Sequence, residues 1–175
     1  MGAVLRTSTC GVGRIPDVRT ATLPKVKTSF LGGSSIADRR RKLTKFLTKA
    51  KSNIDSLATG PCNQTQTNLY RTISYISTLY DSMETSKRLI VFSDLAESST
   101  VFNAGNYINN PEALLKHYDR IVATFQKDAP LPDLSGVAVE MISPMDSDFS
   151  LYLGRFWTRF FTSCGAKSVE VRTAF

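Results

Sequence analysis

Apolar positions along the chain alternate between two periods. From Ile36 they return at Leu43, Phe46, Leu47, Ala50, Ile54 and Leu57. The spacing predicts a helix, with the Lys and Arg residues largely off its stripe. Gly32-Gly33-Ser34-Ser35 reads as a turn with a cap before it, and Gly60-Pro61 as its stop. A second helix, capped by Thr67, buries Leu69, Ile73, Ile76, Leu79, Tyr80 and Met83. Leu89–Phe92 is then a continuous apolar run closing on Ser93-Asp94, the pattern of a parallel strand covered on both faces. Residues 95–109 read as a polar loop with a short strand or turn around Thr100–Phe102. Asn110-Pro111-Glu112 supplies cap, proline and first-turn acid for a third helix with the stripe Leu114, Leu115, Tyr118, Ile121, Val122 and Phe125. Val137–Ile142 is a second buried strand. Asp146 or Asp148 caps a last helix facing inward through Phe149, Leu153, Phe156, Trp157, Phe160, Phe161 and Cys164. Gly165 stands where a helix C-cap glycine belongs, and Lys167–Arg172 alternates like an edge strand.

Upstream, residues 1–21 have no usable periodicity and read as a loose basic segment. Residues 22–31 form a weak strand pattern, with Val26, Thr28 and Phe30 on one face and Pro24 against it. Helical and strand patterns alternate over the rest. That order predicts an α/β fold in three layers, a mainly parallel sheet with helices on both faces, as a single domain over residues 22–175. A length of 175 residues agrees with one domain.

Charge changes the picture at the front of the chain. Residues 1–51 hold twelve basic and two acidic side chains, a balance of +10. Residues 52–175 hold ten basic and thirteen acidic, a balance of −3. A basic block of this kind is either a solvated helix face or a footprint for nucleic acid or another anionic surface. Residues 1–29 contain no aromatic side chain, so they offer no platform for stacking single strands. Three scattered cysteines (Cys10, Cys62, Cys164) are too few for a disulfide framework or a zinc ribbon and read as thiols of a reducing, cytoplasmic setting. The first twenty residues lack the apolar core of a secretory signal, and no stretch has the length of a membrane span.

Catalytic patterns are sparse. The single histidine, His117, falls in the middle of an amphipathic helix. Cys10 and Cys62 have no histidine nearby in sequence, which argues against an activated thiolate. Gly32-Gly-Ser-Ser35 is not a nucleophile elbow, and Gly11-Val-Gly13 lacks the third glycine of a nucleotide loop. Ligands of open parallel sheets gather outside the carboxyl ends of the strands, here Ser93-Asp94 and Ser143-Pro144. An Asp closing an apolar strand is a metal ligand, a general base, a phosphoryl acceptor, or a cap of the following turn.

Lys87-Arg-Leu-Ile-Val-Phe-Ser-Asp-Leu-Ala-Glu97 resembles the fourth strand of von Willebrand factor type A (vWA) domains, which ends in an Asp of the metal-ion-dependent adhesion site. Thr67-Asn-Leu-Tyr-Arg-Thr-Ile73 is similar to the stretch that carries that site's Thr at the start of a helix. Leu134–Glu140 and the block from Phe156-Trp157 to Gly165-Ala166 resemble the last third of bacterial vWA-like proteins, so the likeness runs over about residues 60–175. The family's first-strand Asp-x-Ser-x-Ser motif is absent from residues 1–60, which suggests a divergent member or one truncated at the N-terminus. The resemblance implies a non-catalytic, protein-binding domain with an incomplete or degenerate site. Thr67 and Asp94 would be the metal ligands, and their hard oxygens suit Mg²⁺ or Mn²⁺. Another protein is then the expected partner, met by a surface around Thr67, Asp94, Glu97 and Ser98. Two alternatives stand beside it: a nucleic-acid-associated protein using Arg39 to Lys51, and a small α/β enzyme centred on Asp94.

Overall fold

The computed structural model describes residues 3–7, 19–23, 36–58, 67–80, 86–144 and 147–173. In chain order the elements are β1 (Ala3–Thr7), β2 (Arg19–Leu23), α1 (Ile36–Ala58), α2 (Leu69–Ser77), β3 (Lys87–Phe92), α3 (Glu112–Lys116), α4 (Tyr118–Asp128), β4 (Val137–Ser143), α5 (Asp148–Ser163) and β5 (Ser168–Thr173). A single 3₁₀ turn spans Ala104–Tyr107. The protein is of mixed α/β class, and its described residues fall into two compact units.

The first unit is built on β1, β2 and α1. β1 and β2 pair antiparallel, with Val4 opposite Thr22 and Leu5 opposite Ala21. Regular structure thus occurs within residues 1–21, where the sequence suggests none, and the expected boundary at residue 21 falls inside β2. Five-residue strands are too short to carry a periodic signal. α1 packs on β2, burying Ala50 and Asn53, while the Arg19 guanidinium donates to the Ser56 hydroxyl. Most of the strand expected over 22–31, and the stop at Gly60-Pro61, lie outside the described residues.

The second unit carries a parallel sheet in the order β3-β4-β5. Leu89 lies opposite Val139, and Val139 opposite Val169. Both buried strands and the terminal edge strand fall where the apolar runs predict. Leu89, Val91, Val137, Val139 and Met141 point into one core with residues of α2, α4 and α5. Phe125 is at its centre, stacked on Tyr70 at 4.5 Å and on Trp157 at 6.0 Å, and meeting Phe102, Phe156 and Phe160 edge-on.

Helices on both faces are found on one face only among the described residues of this unit. The other face shows Ile90 (44% exposed), Phe92 (75% exposed) and the side chains of Arg88 and Arg172. Strand order supplies the reason. Two successive right-handed crossovers that step in the same direction put both connecting segments on the same side.

Element ends differ from the sequence reading, and α2 already ends at Ser77, short of the Leu79 and Tyr80 expected on its stripe. Asn68, not Thr67, caps α2, its side chain accepting the Arg71 amide at 3.1 Å. Ser147, not Asp146 or Asp148, caps α5 through a capping box with Ser150. The single helix expected from Asn110 is two helices, parted at His117, where φ −98° and ψ 11° leave the helical range. Gly165 is left-handed at φ +84°, as a C-cap requires, and a Cβ there would meet Ser135 Oγ at 3.3 Å. No described helix is long and apolar enough to cross a membrane.

Candidate functional site

The carboxyl end of β3 runs into a loop held at every step. Ser93 Oγ accepts the Leu95 amide at 3.0 Å, and Asp94 Oδ1 accepts the Ala96 amide at 3.1 Å. Asp94 is exposed and makes the side-chain-to-backbone bond of an Asx turn. Leu95 follows in the left-handed region at φ +63°, fully buried, and its carbonyl accepts the Trp157 indole N–H at 2.8 Å. A non-glycine residue in this conformation costs roughly 1–2 kcal/mol. Burial of the leucine side chain and the indole hydrogen bond offset that strain.

Thr67 joins this loop through its backbone. Its amide donates to the Ser98 carbonyl, and the Ser98 amide returns the bond, each at 2.9 Å. The bridge joins the start of α2 to Ser98, four residues beyond Asp94, through backbone groups.

Glu97, between them, is 1% exposed. Its Oε2 accepts the amides of Leu69 at 2.6 Å and Tyr70 at 3.0 Å, so the carboxyl caps the first turn of α2 from a distant loop. Burial pushes this carboxyl above its ordinary range; the amides of Tyr70 and Leu69 and the Ser99 hydroxyl pull it down, and neighbouring Asp128 pushes it up. The partner surface expected around Thr67, Asp94, Glu97 and Ser98 therefore does not include Glu97, which is buried. The α2 amides are already taken by an internal acid.

At the end of β4, Ser143 is buried, and its hydroxyl finds no hydrogen-bond partner among the described residues. His117 lies between α3 and α4, its Nδ1 3.1 Å from Arg120 Nη2 and its ring edge-on to Tyr107. Cys164 is a free thiol among the aromatic side chains, pushed by burial up to about 11. An open depression of about 460 Å³ between the starts of α3 and α5 is lined by Asn110, Glu112, Asp148, Leu151, Tyr152 and Arg155, a set without a nucleophile and base. No three His, Cys, Asp or Glu side chains converge on a cation position among the described residues.

The bare sheet face completes the inventory. Glu140 of β4 is 6% exposed and pairs with Arg88 of β3 and, at 2.9 Å, with Arg172 of β5. One carboxylate thus ties all strands of the sheet. Ile90, Phe92 and the half-buried Ile142 continue the face toward the strand ends. Sequence reasoning assigns Leu89–Phe92 to a strand covered on both faces and so passes over this surface. The charged residues at Arg88, Glu140 and Arg172 were the available signal, since none of them suits a dry interface unless paired. The chain matches no known family model, no curated protein and no solved structure.

Proposed function

We propose that the chain is a non-catalytic protein-interaction domain of vWA type, with the bare face of the β3-β4-β5 sheet as its partner surface. The observation that carries this reading is Phe92, 75% exposed beside Ile90 at 44%, on a face with the ion-paired Arg88, Glu140 and Arg172. Exposed aromatic and aliphatic groups beside arginine are the composition of protein-binding surfaces. At the rim, the Thr67 hydroxyl and the Asp94 carboxylate are hard oxygen donors of the kind that Mg²⁺ or Mn²⁺ takes. Two donors form an incomplete site, so water and a carboxylate of the partner supply the remaining ligands. Asp94 is engaged in the Asx turn with the Ala96 amide, the role of a cap within a binding loop.

Photo-cross-linking tests this reading. A p-benzoyl-phenylalanine in place of Phe92 is expected to form a discrete protein adduct in cells. Adding Arg88→Glu is expected to abolish that adduct, and the same probe in place of Thr162, exposed on α5, is expected not to form it. No adduct at residue 92, or equal adducts at both positions, overturns the reading.

A further inference from the structure

α1 uses only part of its apolar surface within its own unit. At 100° per residue, Phe46, Ala50 and Asn53 share one arc, and this arc is the buried or half-buried one. Leu43, Leu47 and Ile54 form a stripe that adjoins this arc, spaced by four and seven residues and 45%, 54% and 52% exposed. Arg40 and Lys51 border that stripe on the side away from the buried arc, and both are exposed. Lys45 and Lys49 are exposed farther round the helix, and Arg39 is exposed near its start, in line with Phe46 and Ala50. Among the described residues these five cations form no ion pair, in contrast to Arg41 and Lys42, which share Asp38.

We infer that α1 is a binding site for an anionic lipid surface, lying in the headgroup plane with Leu43, Leu47 and Ile54 inserted and Arg40 and Lys51 against the phosphates. The combination decides between anionic partners. A nucleic acid is met by cations and by aromatic or hydrogen-bonding groups, and an exposed aliphatic stripe beside the cations gains nothing from phosphate. A bilayer interface takes both components, because apolar side chains enter the acyl boundary while flanking cations stay with anionic headgroups. Peripheral attachment needs no spanning helix. This inference rests on α1 alone and is independent of the sheet-face reading.

Vesicle co-sedimentation of the full chain tests it, comparing phosphatidylcholine alone with phosphatidylcholine containing phosphatidylserine. Binding is expected only with phosphatidylserine. Leu47→Ser is expected to weaken it about five-fold, from the lost burial of an aliphatic side chain. Arg40→Glu with Lys51→Glu is expected to weaken it about ten-fold or more. These positions are exposed, so circular dichroism is expected to stay unchanged, and Leu43→Ser provides a second removal from the same stripe. A duplex oligonucleotide, read by fluorescence anisotropy, is the competing probe. The inference is overturned by equal binding to both vesicles, by no vesicle binding, by indifference to both Leu47→Ser and Leu43→Ser, or by tighter binding to the duplex than to the vesicles.

Discussion

A carboxyl that is buried and also accepts two backbone amides is pulled in opposite directions, and at Glu97 burial is the larger pull. Its proton is therefore held more tightly in the folded protein than in the unfolded chain. For an acid raised in this way, stability is highest below the ordinary carboxylate range and falls as pH rises from there through the raised folded value. Glu97→Gln keeps an acceptor for Leu69 and Tyr70 but cannot ionise. Urea melts over a pH series are expected to show Glu97→Gln gaining on wild type across that interval, with the gap constant above it. Parallel profiles would show that Glu97 does not titrate differently on folding. The nearby Trp157 acts through one bond to the strained Leu95. Trp157→Phe leaves that buried carbonyl without its donor and is expected to destabilise by about 1–3 kcal/mol, measured by denaturant titration. Cys164, raised to about 11, is expected to react with iodoacetamide roughly a hundredfold more slowly than an ordinary thiol at neutral pH. Mass spectrometry of the labelled peptide reads that rate.

Elements in this protein are held by local caps and by long-range packing. The Ser147 and Ser150 side chains reciprocally satisfy the first turn of α5, the helix that brings Phe156, Trp157, Phe160 and Phe161 into the core. Ser147→Ala is expected to cost about 1 kcal/mol. A thermal midpoint lower by about 2–8 °C would report that loss. Phe125→Ala removes the ring that Tyr70, Phe102, Phe156, Trp157 and Phe160 surround and is expected to cost about 3–5 kcal/mol. Helix existence follows from the apolar stripes, although α2 ends at Ser77, short of Leu79 and Tyr80, and the third stripe is shared by α3 and α4. Helix ends follow less closely. Thr67 and Asp148 are good capping types, yet Asn68 and Ser147 take the role, because a cap needs its own side chain within reach of the third amide and the preceding backbone extended. The break at His117 has no proline or glycine to announce it.

At the scale of the molecule, the described helices of the second unit cover one face of its sheet, and the loop at its rim bonds Thr67 to Ser98. Metal dependence is the sharpest check of that rim. Thermal unfolding in EDTA, then in millimolar Mg²⁺ or Mn²⁺, is expected to show a cation-dependent rise in the wild-type midpoint that Asp94→Ala abolishes. A cation present at about a hundredfold over its dissociation constant adds roughly 2.7 kcal/mol. An unchanged midpoint with every ion would leave Asp94 as the cap of the Ala96 amide and nothing more.

The sequence by itself determined the α/β class, the parallel-strand runs at Leu89–Phe92 and Val137–Ile142, the helix from Ile36, and the left-handed Gly165. Each is written in the periodicity or chemistry of one continuous segment, so no distant contact is needed to read it. Tertiary structure alone decided which face of β3 is covered, since an apolar run reports how many side chains resist water and not where the neighbouring helices cross. It also decided that β1 and β2 pair, because neither short strand exists without the other. Glu97 is the clearest case. In the chain it is one more acid in a polar loop, but it caps amides 27 and 28 residues away, and only the fold brings that carboxyl to that helix.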